Sequence, residues 1–461
     1  MKKIIMAPLL ATSLLLTSCG SKTDFTGAAQ EVRFITLNPG HFHAALVQKS
    51  MYPQVHPTVH IYAPNGPDAG LHKQRVDAFN ARTDDPTGWE SVTYLGEDYL
   101  ERMLAERKGN VVVIAGNNRK KTEYIKKSVS AGLNVLSDKP MAIDSSSFQV
   151  LRDAFAEAQK QGVLLYDIMT ERYEITSLLQ RELAQMPELF GTLETGSPEN
   201  PSVVKESVHH FFKYVSGSVL RRPPWYFDID QQGEGIVDVT THLVDLIQWV
   251  CFPDVVLNYS TDVEVYSARR WPTPISREQF TSITGLNHFP AYLSKDMGAD
   301  STLQIYANGE MQYSLKGVNA RISVEWNFEA PAGGGDTHYS LMRGTRSGLI
   351  IRQGAEEGYV PTLHIVPAQG ASTPQWQQEV NNAFGHISAK YPGMILEKTG
   401  DGFVVRIPEQ YRVGHEARFS QVTQKYLQFL VDGALPEWEV PNMLAKYYTT
   451  TRALELARGS K

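Results

Sequence analysis

Apolar residues follow two different patterns along this chain. Up to about residue 170 they form short unbroken runs separated by segments of helical period. Beyond about residue 255 they alternate with polar residues at period two. In the first region Val32-Arg33-Phe34-Ile35-Thr36-Leu37, Val59-His60-Ile61-Tyr62 and Val111-Val112-Val113-Ile114-Ala115 read as buried strands. So do the run through Leu133-Asn134-Val135-Leu136 and Val163-Leu164-Leu165-Tyr166-Asp167. Between them, Glu97 to Arg107, Thr122 to Ser130 and Ser145 to Gln161 read as helices, and Arg75 to Trp89 as helix plus loop. Gly132 falls where a helix closing at Ser130 needs a left-handed cap. This alternation predicts a doubly wound parallel sheet over residues 32–170.

The second pattern predicts an α+β domain over residues 171–461. Asp262 to Ser267, Ser301 to Tyr306, Ala320 to Trp326, Leu363 to Val366 and Phe403 to Ile407 read as half-buried antiparallel strands. Helices are expected at Glu416 to Val431 and Val440 to Ala457. A large open, mainly antiparallel sheet with helices on one face accounts for this order. Lys205 to Trp225, ending in Arg221-Arg222-Pro223-Pro224-Trp225-Tyr226-Phe227-Asp228, admits two readings. Either its aromatics and charged groups face a sugar-like ligand, through Lys213, Trp225, Tyr226 and Asp228, or it is a proline-locked loop with core aromatics.

The amino end changes where these domains are expected to reside. Lys2-Lys3 precedes an apolar stretch from Ile4 to Leu16, too short to span a bilayer. Leu16-Thr17-Ser18-Cys19 matches a lipobox, so residues 1–19 read as a lipoprotein signal and Cys19 as the lipidated residue. Residues 20–31 read as a polar tether. The expected place is the cell envelope, with the membrane contacted through the lipid alone. Cys251, the second of 2 cysteines, lies in an apolar stretch and reads as inert core. A net charge of −6 with both signs interspersed gives no footprint for nucleic acid.

Candidate chemistry gathers at strand ends. Lys139, following Asp138 and preceding Pro140, sits where open α/β sheets bind ligands. After the first strand, Asn38-Pro39-Gly40-His41-Phe42-His43 occupies the place of a Gly-x-Gly-x-x-Gly turn but keeps only the middle glycine. Asn38 tolerates the strained first position, and His43 replaces the third glycine. The second strand lacks the acid expected to bind an adenosine ribose, leaving Asp68 or Asn65 as substitutes. Asp238, His242 and Asp245 fall at i, i+4 and i+7, on one face of a helix. Oxidising a secondary alcohol by hydride transfer needs a base such as His242, an acid such as Asp238 to orient it, and a cation such as Lys139 at the oxygen. His338, His364, His386 and His415 lack metal-ligand spacing, and no metal site is expected.

Three motifs in order resemble the Gfo/Idh/MocA oxidoreductases. Asp138-Lys139-Pro140 is similar to their Glu-Lys-Pro, and Ala115-Gly116-Asn117-Asn118 sits where they carry a Thr-Pro-Asn turn. Gly235 to Asp245 resembles their Gly-x-x-x-Asp-x-x-x-His-x-x-Asp helix. The resemblance implies a nucleotide-binding Rossmann domain. Asn38, Gly40, His41, Phe42, His43, Asn117, Asp138 and Lys139 would face NAD, favoured over NADP because no arginine follows the second strand. It implies Lys139, Asp238 and His242 as catalytic residues acting on a carbohydrate or polyol hydroxyl. An exported enzyme meets no soluble nicotinamide pool, so a tightly held cofactor is expected, regenerated in place by a second carbonyl or a redox partner. The alternatives are a redox-neutral NAD-dependent glycosidase and a carbohydrate-binding lipoprotein without catalysis. A homo-oligomer through the second-domain sheet is also expected.

Overall fold

The computed structural model describes residues 24–459 except 216–217, 369–371 and 401. The lipobox and Cys19 therefore lie outside the described residues. Six strands, β1 (Phe34–Leu37), β2 (Thr58–Ala63), β3 (Glu90–Leu95), β4 (Val111–Ile114), β5 (Asn134–Asp138) and β6 (Leu165–Ile168), form one sheet in the order β3-β2-β1-β4-β5-β6. Every pairing in it is parallel. The order reverses between β1 and β4, which opens a crevice at the carboxyl ends of the strands. The apolar runs that mark β1 and β4 are buried along their whole length, as parallel strands covered on both faces must be.

The helices of this half are α1 (His43–Leu46), α2 (Pro67–Asn80), α3 (Tyr99–Glu106), α4 (Lys121–Ser130) and α5 (Ser145–Gln161). The α5 bounds follow from local chemistry. Asp144 accepts from the Ser147 amide in a capping box, and Gly162 closes the helix at φ 67°. Edge strand β3 departs from the sequence reading, since Glu90–Leu95 is largely exposed and carries no apolar run.

The second half contributes α6 (Ile175–Ala184), β7 (Val203–Phe212), a short hairpin of β8 (Tyr214–Val215) and β9 (Ser218–Val219), α7 (Ile229–Gln232) and α8 (Thr240–Cys251). Then follow β10 (Val263–Ile275), α9 (Arg277–Thr284), β11 (Leu303–Leu315), β12 (Val318–Glu329), β13 (Thr337–Arg343), β14 (Ser347–Gln353) and β15 (Thr362–Pro367). The chain ends with α10 (Pro374–Lys390), β16 (Ile395–Thr399), β17 (Gly402–Arg406), α11 (His415–Asp432) and α12 (Glu439–Gly459). Nine strands pair in the order β10-β11-β12-β7-β13-β14-β15-β17-β16. Only the β12–β7 pairing is parallel among them, so the sheet is mixed and mostly antiparallel, as expected.

Four local expectations need correction. The first part of the segment from Lys205 is no loop but β7, the middle of this sheet. Lys205 is buried there, and its ammonium donates to Ser340 Oγ at 2.7 Å. Burial pushes that ammonium down to about 8. Helix α8 begins at Thr240, so Asp238 stands in the turn before it rather than on its face. The closing helices return to the first half: Phe419, Tyr426, Leu430, Met443 and Tyr447 pack into the core under the six-stranded sheet. A boundary at residue 170 therefore does not separate the packing units. Finally, the tether's described part is anchored. Phe25 joins the same core, and the Glu31 carboxylate accepts from the Thr26 amide at 3.0 Å. No helix among the described residues is long and apolar enough to cross a membrane.

Candidate active site

A cavity of about 800 Å³ lies between the carboxyl ends of the parallel strands and the face of the nine-stranded sheet. His41, Phe42 and His43 reach it from the β1–α1 turn, Gly116 and Asn118 from the turn after β4, and Asp138 and Lys139 from the end of β5. The second half supplies Ser207, His209 and Lys213 from β7 and its following turn. Asp238 and His242 come from the entry to α8, Trp326 from β12, and Asp336 and His338 from the start of β13. The Lys139–Pro140 bond is cis.

At the centre, Lys139 Nζ donates to Asp238 Oδ1 at 2.6 Å, while Asp238 Oδ2 accepts from Gln232 Nε2 at 3.1 Å. Burial alone would raise the Asp238 carboxyl, but Lys139 outweighs it and keeps the group below the usual range. His242 stands one helical turn on, half-buried, with its Nδ1 buried and lacking a hydrogen-bond partner. Burial, reinforced by the Lys139 charge and only partly offset by Glu171, pushes its imidazole down to about 3. The ring is therefore neutral near pH 7. A fixed cation beside a neutral, unpartnered imidazole is the equipment for holding a hydroxyl or carbonyl oxygen and passing its proton.

Two further groups flank this centre. His43 Nδ1 lies 2.9 Å from Asp138 Oδ2. Burial works against the Asp138 charge, yet His43, Lys121 and His41 together hold the carboxyl well below its ordinary range. Burial, then His43, keeps His41 well below an ordinary imidazole. Opposite them, Asp336 gathers His210 Nδ1 at 2.9 Å and Lys213 Nζ at 2.8 Å. The His209 ring stacks on Trp326 at 5.1 Å between centroids. This polar wall with an aromatic plane is suited to a polyhydroxylated ligand.

The sequence-predicted residues divide as follows. Lys139, Asp238 and His242 converge, and His41, Phe42, His43, Asp138, Lys213 and Tyr226 also line the cavity. Five do not line it, the first-turn Gly40 among them. Asn38 sits behind the turn, donating from Nδ2 to Tyr124 Oη at 3.2 Å. Asn117 is spent on Gln231 Oε1 at 2.6 Å. Trp225 donates from Nε1 to Asp68 Oδ2 at 3.0 Å. Asp228, buried, caps α7 and pairs with Lys295 at 3.0 Å. Asp245, on the predicted helix face, points away into a buried network with Arg172 and Lys446. Sequence reasoning missed Asp336 and Glu171 and set His338 and His415 aside, yet all four line the cavity. The period-two placement of Ser207 and His209 on one face of β7 was the available signal.

Whether a dinucleotide fits is decided at the two β-strand turns. Asn38 adopts φ 46°, doing a glycine's work. Any side chain at Gly116 would meet the Asn38 carbonyl oxygen at 2.3 Å, so these turns need that glycine to touch. Asn118 Oδ1, buried and without a partner, remains as an acceptor beside Lys139. The nicotinamide side therefore fits. Over Gly40 the chain differs from an open pyrophosphate cradle: Asp68 Oδ2 and Trp225 Cζ2 each stand 2.9 Å from where a Cβ would be. Asp68 is thereby engaged with Trp225 rather than free for a ribose, and Asn65 is exposed.

Residues 40–167 match the Gfo/Idh/MocA family described as "Oxidoreductase family, NAD-binding Rossmann fold", and residues 179–458 match "Putative oxidoreductase C terminal domain". The crystal structure of a "putative oxidoreductase" from Parabacteroides merdae is 55% identical, with a TM-score of 0.93, covering 95% of this chain and 100% of that one. Levoglucosan dehydrogenase, solved with NADH and levoglucosan, shares the fold at 11% identity and a TM-score of 0.59, over 93% of this chain and 98% of that one. KijD10, a 3-ketoreductase from Actinomadura kijaniata solved with NADP and TDP-benzene, shares it at 14% identity and 0.52, over 90% and 95%. A comparison with curated proteins finds no match.

Proposed function

The chain belongs to the Gfo/Idh/MocA oxidoreductases, with an NAD(P)-binding Rossmann domain, and from that premise we propose that it interconverts a secondary hydroxyl and a ketone on a sugar or glycoside. The observation that carries this reading is the convergence of Lys139, Asp238 and the His242 imidazole in one cavity at the carboxyl ends of the parallel strands. His41, Phe42 and His43 at the first turn, with Gly116, Asn118 and Lys139 at the nicotinamide side, would hold the dinucleotide. When bound it supplies the hydride acceptor.

The side chains do the rest. Asp238 fixes the Lys139 ammonium, so a positive group waits where oxygen becomes negative. The neutral His242 imidazole accepts the hydroxyl hydrogen bond and takes the proton as the C–H bond breaks, with Glu171 and Asp138 offsetting the charge it gains. Asp336, Lys213, His209 and Trp326 form the wall for the remaining hydroxyls. The levoglucosan named for levoglucosan dehydrogenase and the ketone reduction named for KijD10 are in keeping with this reading. We take NAD over NADP, a captive cofactor, and a lipid anchor at Cys19 holding the enzyme at the cell envelope as parts of the same proposal.

The deciding experiment denatures the purified protein, identifies any released nicotinamide cofactor by mass, and incubates the native protein with a panel of glycosides. Released cofactor together with a keto-sugar product supports the proposal. Absence of both, with sugar binding retained, would replace it with a carbohydrate-binding role.

A further inference from the structure

His41 and His43 flank Phe42 in the turn after β1, and Asp138 ends β5, two strands along the sheet. The fold brings one ligand-type atom from each to within 4.8 Å of the others. Nδ1 of His43 and Nδ1 of His41 lie 2.9 Å and 3.7 Å from one oxygen, Asp138 Oδ2. Around a tetrahedral divalent ion with bonds of ~2.0–2.1 Å, neighbouring ligand atoms stand about 3.3 Å apart. The two spacings fall on either side of that value, and all three ligand atoms lie within 4.8 Å of one another, so side-chain shifts alone would complete a three-ligand set.

The surroundings prepare the same geometry. The two imidazole rings are nearly perpendicular, at 84° with centroids 4.0 Å apart. The His43 ring is backed by Phe419 at 4.6 Å and the His41 ring by Phe42 at 4.7 Å. His41 Nδ1 accepts a long 3.4 Å contact from the His43 amide, which marks it as the unprotonated ring nitrogen, its lone pair held only by a weak bond that an ion would displace. The nearest cations are directed elsewhere: Lys139 to Asp238 at 2.6 Å and Lys121 to the Asp138 carbonyl at 3.0 Å.

We propose that His41, His43 and Asp138 bind a divalent first-row transition-metal ion, with its remaining coordination positions open to the cavity. Two imidazoles and one carboxylate select zinc, iron(II) and their neighbours over magnesium or calcium, which prefer all-oxygen sets. Binding shifts the proton that His43 Nδ1 shares with Asp138 to Nε2 of the same ring, and the ion takes its place between them. The open positions would accept water or a ligand oxygen. The site takes its ligands from the first turn and the end of β5, which line the same cavity as the proposed reaction centre, and draws on neither Asp238 nor His242.

Protein stripped with a chelator is titrated with Zn²⁺ by calorimetry and with Co²⁺ by visible absorption. The expected result is one equivalent bound, with the d–d bands of a four- or five-coordinate cobalt ion. His41→Ala, which removes a partly exposed ring, should weaken binding by at least about 100-fold, more than the loss of an outer-shell partner costs. His415→Ala, whose ring lies 5.7 Å from that of His43 but outside the triad, should leave it unchanged. Asp138→Asn should abolish binding. Should that variant unfold, His41→Ala, checked by its melting temperature, decides alone. Absence of a stoichiometric site, or binding that survives His41→Ala, overturns the proposal.

Discussion

Lys139 Nζ and Asp238 Oδ1 meet at 2.6 Å across 99 residues of sequence, joining the last turn of β5 to the entry of α8. Both groups are largely buried, with side-chain exposures of 10% and 8%. The pair ties the two halves of the molecule together at the point where chemistry is proposed. Removing one member leaves the other charged and short of a partner in a dry place.

Lys139→Ala should therefore reduce turnover by about 100-fold or more, and also destabilise the fold by about 3–5 kcal/mol as Asp238 is left unpaired. Asp238→Asn should show a smaller stability loss and a comparable loss of turnover. Rates on an identified sugar, together with urea melts of each variant, separate the two effects. Near-wild-type rates in both variants would remove Lys139 from the mechanism.

His242 should not titrate in the usual histidine range. With its imidazole pushed down to about 3 by burial and the Lys139 charge, the ring stays neutral well below pH 6.5. The acid limb of kcat/KM is expected to lie below pH 5, and His242→Gln should lower kcat by about 100-fold while cofactor content is kept. A pH–rate profile falling through pH 6.5 in the wild type and flat in the variant would contradict this environment for His242.

Acid should weaken the fold early. His242 and His338 are held down to about 3 and His72 to about 4, all chiefly by burial. Between those values and an unfolded value near 6.5 the unfolded chain binds more protons, so stability is complete above pH 6.5 and falls as pH drops through this window. At pH 5 each histidine costs about 2 kcal/mol relative to pH 7. Urea melts at the two pH values measure the loss. His72 has no partner for either ring nitrogen, so His72→Leu should make the dependence shallower without touching the cavity.

Asp245 is expected to act on stability and not on chemistry. Its carboxylate takes Arg172 Nε at 2.7 Å and Lys446 Nζ at 2.8 Å, and Lys446 also meets Asp167 at 2.7 Å. Asp245→Asn should cost about 3–5 kcal/mol by leaving buried cations short of charge. The fraction that stays folded should keep its kcat. A folded variant with a collapsed kcat would instead make Asp245 a positioning residue for His242.

Cys19→Ser should shift the protein from the membrane fraction to the soluble one, with bound cofactor unchanged. A lipid chain acts through its buried methylenes, and Phe25 already fixes the start of the folded domain. A wild type found soluble after fractionation would end the lipoprotein proposal.

The parallel sheet was legible in the sequence because its strands are buried on both faces, which forces unbroken apolar runs such as Val111–Ile114. Helix α5 was legible to the residue because its cap and its closing glycine are local. Lys139, His242 and the family motifs were legible for the same reason, being short and contiguous. Edge strand β3 was not, since an exposed strand needs no apolar pattern. Strand β7 was not, because Lys205 is buried through a bond to Ser340, 135 residues away. Local sequence also could not distinguish Asp238, which meets Lys139, from Asp245, which turns to Arg172 and Lys446. Helical spacing assigned them one face, and the late start of α8 together with the returning α12 assigned them different partners. What depended on neighbours in sequence could be read from it; what depended on which buried charge found which partner was decided only by tertiary packing.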